Sequence, residues 1–212
     1  MLATALNHHA FGHHVDLLAD MYRLRRHVFK DRLDWSVAVS GDMEVDLFDA
    51  LKPTYLLVLS DDGAVVGSVR LLPTVGPTML GDTFPFLLGD RPVPRSEKVL
   101  ESSRFCVDTK RASQLAGNGI NCATIMLFAA MIEYLKAENA DSIVTVTDAR
   151  MERILRRAGW PLERLGAPCR VGQTTALAGY LHASDAALHA LYQAAGIPGQ
   201  VLIPVTSVRA AA

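Results

Sequence analysis

The chain has 212 residues, half of them apolar, and its 21 basic and 22 acidic side chains leave a net charge of −1. That length suits one domain with a substantial core, and the near-neutral balance argues against general nucleic-acid binding. No apolar run is long enough to span a bilayer, and Cys106, Cys122 and Cys169 form no Cys-x-x-Cys pair, which fits reduced thiols better than a disulfide or zinc framework.

The N-terminal stretch MLATALNHHAFGHH has no basic start followed by an apolar block, so no secretion signal is expected and the protein reads as cytoplasmic. His8, His9, His13 and His14 invite a metal, but no partner ligand stands near them, and no metal site is expected. From about Val15 to Asp31 apolar positions recur near helical spacing, which predicts a helix with Arg25 and Phe29 on one face. Residues 31–53 lack periodicity and are rich in Asp, Gly and Ser, the signature of a long and usually functional loop. Its carboxylates Asp42, Glu44, Asp46 and Asp49 do not match an EF-hand. They suit an organic cation, for which Trp35 offers an aromatic face.

TYLLVL and GSVRLLP, on either side of Asp61-Asp62-Gly63, predict a hairpin. Residues 76–96 are punctuated by Gly and Pro and read mostly as loop. A strand follows from about Lys98 to Val107, containing LESSRFCV. Glu101 and Arg104 lie three apart in it, so strict alternation would place them on opposite faces. A β-bulge would bring them together; an edge strand with two solvated charges is the alternative.

Gln114, Gly117 and Gly119 then form Q-x-x-G-x-G ahead of a helix from about Asn121 to Glu138. Its backbone N–H groups could cradle a pyrophosphate, or the glycines could simply make a turn. SIVTVT predicts a buried strand, and ARMERILRRAGW an amphipathic helix closed by Gly159. A short helix near 185–195 and a last strand, QVLIPVTSV at 200–208, complete the chain. The order strand, glycine turn, helix, strand, helix indicates an α/β domain and resembles the core of the GNAT acyltransferases. Arg150, Arg153, Arg156, Arg157, Arg164 and Arg170 make a basic cluster, suited to an acidic partner or phosphates, or a solvated face.

In order, YRLRRHVFKDRLDW, GDMEVDLFD, GSVRLLP, TFPF and LESSRFCVD resemble the acyl-homoserine lactone synthases, from about Tyr22 to Trp160. The matching positions are Arg25, Phe29, Trp35, Glu44, Asp46, Asp49, Arg70, Phe84, Glu101 and Arg104. The resemblance implies one domain over 1–212, a GNAT-like α/β/α sandwich with a mixed, centrally splayed β-sheet. Residues 1–53 would form the S-adenosylmethionine side, and about 98–212 the acyl-chain and carrier side.

It also implies N-acylation of S-adenosylmethionine by an acyl thioester, followed by lactonisation with loss of methylthioadenosine, to make a quorum-sensing signal. Both molecules are substrates, so no resident cofactor is expected. Glu101 would be the base, directly or through water, with Ser103 and Arg104 beside it. Arg25, Phe29, Trp35, Met43, Glu44, Asp46, Asp49, Arg70 and Phe105 would bind S-adenosylmethionine. In that set Asp46, Asp49 and the ring of Trp35 or Phe29 suit the substrate's positive charges, and the arginines either hold its carboxylate or lock the acidic loop.

Met79, Phe84, Leu100, Met126, Val144, Thr145 and Trp160 would line the acyl chain, in a tunnel between the last strands and the helix after the glycine turn. Gln114, Gly117, Gly119 and Arg150 would meet the phosphopantetheine or coenzyme A. The donor stays open: the arginine cluster suits acyl carrier protein, and the intact Q-x-x-G-x-G favours acyl-coenzyme A. The rival readings are a GNAT-type N-acetyltransferase acting on a small amine with acetyl-coenzyme A, and a non-catalytic sensor of an acyl ligand.

Overall fold

The computed structural model describes residues 1–205. It opens with β1 (Leu2–Leu6), a strand too short and too poor in β-branched residues to stand out in the sequence. Pairing with a later strand fixes it. The expected first helix is α1 (Val15–Arg26), and residues His27–Arg32 continue it as a wider π-helical turn. Such turns commonly mark functional positions, and this one carries the buried Phe29. The loop holds a small ribbon, β2 (Val39–Ser40) with β3 (Met43–Glu44), and a 3₁₀ turn over Leu47–Ala50. Asp46 caps that turn and Asp49 bonds back to the Asp46 N–H, a capping box that makes the loop rigid.

The hairpin is β4 (Thr54–Leu59) with β5 (Val65–Pro73), buried along most of its length. The Gly- and Pro-punctuated segment contains one helical turn, α2 (Met79–Asp82), capped by Thr78. Next come β6 (Val99–Val107), α3 (Cys122–Ala137), β7 (Ser142–Asp148) and α4 (Ala149–Arg157). The short β8 (Glu163–Arg164) and β9 (Cys169–Val171) precede β10 (Thr174–His182), α5 (Asp185–Ala195) and β11 (Leu202–Ile203). The sequence reading has no counterpart for β10, whose TTALAGYLH carries little β-branched signal; burial against β7 makes it a strand. Of the expected last strand, only Leu202–Ile203 forms within the description, and 206–208 lie outside the described residues.

The main sheet runs β11-β1-β4-β5-β6-β7-β10-β8, with β9 also on β10. Its centre is splayed. β6 and β7 pair in parallel from Val99 with Ser142 to Ser102 with Thr145, whereas β6 stays with β5 as far as Val107. Past Ser102 the two central strands therefore part. α3 packs on one face over the largest apolar cluster, while α1 and α2 lie on the other over two smaller ones. This is the expected mixed, centrally splayed α/β/α sandwich. Among the described residues no helix is long and apolar enough to cross a membrane.

Candidate functional site

β6 answers the question of the two charges. Arg70 pairs with Ser103 and Ser68 with Cys106, so Arg104 and Phe105 together oppose Val69. Arg104 takes φ of 56°, a conformation few side chains adopt without compensation. This bulge sits where β7 departs. It turns Arg104 onto the face of Glu101 and Ser103, and sends the Phe105 ring to the other face, 5.2 Å from Phe128. Phe105, half-buried, packs there against the largest apolar cluster.

On the Glu101 face, three guanidinium groups meet three carboxylates. Arg25 donates through Nε to Glu44 at 2.6 Å and through both terminal nitrogens to Asp49 at 2.7 and 2.9 Å. Arg70 donates to Ser103 Oγ at 3.0 Å, to Asp46 at 2.5 and 3.0 Å and to Asp49 at 2.8 Å. Arg104 holds Glu44 at 3.0 Å through Nε and Asp46 at 2.7 Å through Nη2. Tyr55, which sequence reasoning missed, donates to Asp49 at 2.7 Å. The hairpin register sets it opposite Arg70.

Burial opposes the charge of Asp49, but the Arg25 hydrogen bonds and the Arg25 and Arg70 charges outweigh it and hold the carboxyl below the usual range. All three arginines pair with the acidic loop, and Asp46 and Asp49 are both engaged by them. The aromatic pair is arranged differently. Phe29 and Trp35 stack at 5.3 Å, Trp35 reaches solvent, and the Arg104 guanidinium lies 5.7 Å from the Phe29 centroid. Met43 is half-buried on β3 beside the buried Glu44.

Glu101 is buried beneath the first turn of α2. Its two oxygens accept the N–H groups of Met79 at 2.8 Å and Leu80 at 2.7 Å. Burial pushes its pKa up, while those N–H groups and Arg70 pull it down without cancelling the rise. The Met79 sulfur in turn receives Arg70 Nη2 at 3.3 Å and Arg104 Nη1 at 3.5 Å.

The expected acyl-lining residues divide between the two sides of the sheet. Val144 and Phe84 belong to the small cluster with Leu80 and Leu87. Leu100, Met126 and Trp160 pack on the main core, and Trp160 Nε1 donates to the His182 carbonyl at 2.8 Å. Thr145 sits where the strands part and donates to the Ser102 carbonyl at 3.0 Å. The set thus lies on both sides of the sheet, around the place where β6 and β7 part. Met126 also borders an opening of about 460 Å³ beside residues 196–201.

The Q-x-x-G-x-G loop forms a turn held by backbone hydrogen bonds. Gly117 N–H donates to the Ala194 carbonyl at the end of α5, at 2.8 Å, and Gly119 N–H to the Ala116 carbonyl. The Gln114 carbonyl receives Cys122 N–H, and the Asn121 side chain receives the N–H groups of Ala123 and Thr124. The N–H groups of both glycines thus already have carbonyl partners. The C-terminal end of α5, negative by its dipole, faces them. Arg150 is exposed on α4 with Arg153, Arg156 and Arg157. Arg164 is bound to Glu152 at 2.5 and 2.6 Å.

Residues 9–191 match the sequence model of a family described as Autoinducer synthase. An acyl-homoserine-lactone synthase from Agrobacterium fabrum is 46% identical over 198 residues, covering 92% of each chain. The crystal structure of the AHL synthase LasI superposes with a TM-score of 0.80 at 33% identity, covering 91% of this chain and 95% of that one. A CoA-dependent acyl-homoserine lactone synthase, BjaI, solved with SAM and isopentyl-CoA, shares the fold with a TM-score of 0.86 at 24% identity, over 99% and 98% of the chains.

Proposed function

The chain belongs to the autoinducer synthase family, and from that premise we propose how its residues carry out the acyl-homoserine-lactone synthase reaction. The observation that carries the reading is the bulge at the splay, which puts Glu101, Arg104 and Arg70 on one face next to an opening between β6 and β7. S-adenosylmethionine lies with its sulfonium against Trp35 and Phe29 and its carboxylate toward Arg104. Its α-amine, with a free-solution pKa near 7.7–8.0, gives its proton to Glu101, directly or through water. The amine lone pair then attacks the thioester carbonyl. Backbone N–H groups on the splayed half of β6 stabilise the oxyanion, and its collapse forms the amide and frees the carrier thiol. The substrate carboxylate next attacks the carbon bearing the sulfonium, closing the lactone as neutral methylthioadenosine leaves.

The donor in this reading is acyl carrier protein. The glycine loop is closed against the end of α5, which weighs against seating the pyrophosphate of coenzyme A. The exposed arginines of α4 offer an acidic protein a docking face. Purified protein given S-adenosylmethionine and acyl thioesters on both carriers tests the proposal. Equal release of acyl-homoserine lactone, methylthioadenosine and thiol is expected, faster from the carrier protein. Thiol release from acetyl-coenzyme A with another amine, and no methylthioadenosine, would establish the acetyltransferase instead.

A further inference from the structure

Around Glu101 the donors and acceptors match except at one point. Arg25 meets only oxygen acceptors, through Glu44 and Asp49. Arg104 uses Nε on Glu44 and Nη2 on Asp46, but its Nη1 faces the Met79 sulfur at 3.5 Å. Nη2 of Arg70 reaches the same sulfur at 3.3 Å. A thioether is a weak acceptor, and two guanidinium groups converging on one are poorly compensated. A carboxylate in its place would make charge-assisted bonds about twice as strong as neutral ones.

The Met79 side chain is free to give way. Its backbone is fixed independently: Met79 and Leu80 N–H groups on Glu101, Gly81 N–H on Thr78 Oγ1, and Thr78 N–H on Asp82. The side chain itself belongs to none of the three apolar clusters among the described residues. Met is unbranched, with three rotatable bonds. Swinging it aside therefore breaks two weak contacts and opens no core cavity.

We propose that Met79 is a displaceable plug, whose sulfur occupies the donors of Arg70 and Arg104 until the carboxylate of S-adenosylmethionine takes them. The inference rests on the synthase reading and names the residue against which that substrate competes. Met79 is then a positioning residue. It keeps Arg104 aimed in the empty site, and only a ligand that brings a carboxylate has to displace it.

The test is a titration of wild type, Met79→Leu and Met79→Gln with S-adenosylmethionine and with its decarboxylated analogue, followed through Trp35 fluorescence or calorimetry. Leucine keeps the volume and removes the acceptor, so Kd for S-adenosylmethionine should fall about threefold, the size of one weak hydrogen bond. Glutamine supplies a stronger acceptor, and Kd should rise roughly tenfold. The analogue keeps the sulfonium and amine but has no carboxylate, so its affinity should not follow that order. Both ligands shifting together would mean that Met79 only packs, and would overturn the proposal, as would a leucine variant no tighter than wild type. Wild type that makes product while the variants fail this pattern sinks the plug alone. Wild type that binds no S-adenosylmethionine sinks the synthase reading with it.

Discussion

The acidic loop and helix α4 treat charge in opposite ways. Between α1, β5 and β6, three arginines and three carboxylates are buried and matched, leaving a thioether as the odd partner. Along α4 the arginines are exposed to solvent. The first arrangement fixes geometry for a small ligand, because a buried pair keeps its orientation and is weakly screened. The second attracts at a distance, because exposed charge steers an encounter while adding little stability. The same residue type is structural in one region and available to a partner in the other.

The contrast breaks most sharply at Arg25. Arg25→Met takes from the buried Glu44 and Asp49 the guanidinium they share, leaving Glu44 to Arg104 and Asp49 to Arg70 and Tyr55, and should cost about 3 kcal/mol, read as a lower urea midpoint. A loss below about 1 kcal/mol would show that the network is solvated. Next is Glu101→Gln, which removes the base and leaves one of the two α2 N–H groups facing an amide donor. Lactone formation should fall by roughly 100-fold or more, measured by chromatography of the product, and wild-type turnover would remove the base assignment.

The pH dependence separates two groups within one site. Asp49 has a depressed pKa, so its contribution to stability is present above its unfolded value and is lost as pH falls through the folded one. Glu101 has a raised pKa, so ionising it costs stability as pH rises, and its base form appears later than an ordinary carboxylate's. Acid should therefore reduce turnover before it unfolds the protein, which parallel rate and circular-dichroism profiles would check.

On α4, Arg153→Glu with Arg157→Glu should raise KM for acyl carrier protein about tenfold, with a weaker salt dependence, and leave S-adenosylmethionine binding alone. The smallest effect is expected at Gly117→Ala. A Cβ there meets the Ala194 carbonyl oxygen at 3.5 Å, an ordinary contact. A closed loop predicts turnover within about twofold of wild type, as for surface substitutions generally. A large loss confined to acyl-coenzyme A would reopen the pyrophosphate reading.

Much of this was legible in the chain. Local patterning gave α1, the hairpin, β6, α3, β7 and α4, because each carries its own periodicity. Glu101 and Arg104 could be singled out because two charges three apart in an apolar strand demand a bulge or an edge. Other features were not local. β1 and β10 form because longer strands pair with them, and Tyr55 reads as one more aromatic in a strand until register sets it beside Arg70 and Asp49.

The glycine loop marks the limit most plainly. Its residue types permit a phosphate cradle, and sequence cannot say that a helix end 75 or so residues later, at Ala194, meets the Gly117 N–H first. The chain by itself determined which groups could ionise, turn or pack, since those are properties of residues and near neighbours. Only the tertiary structure decided which donor meets which acceptor. A buried polar group takes the partner that packing delivers to it, and that partner is set by contacts across the whole fold.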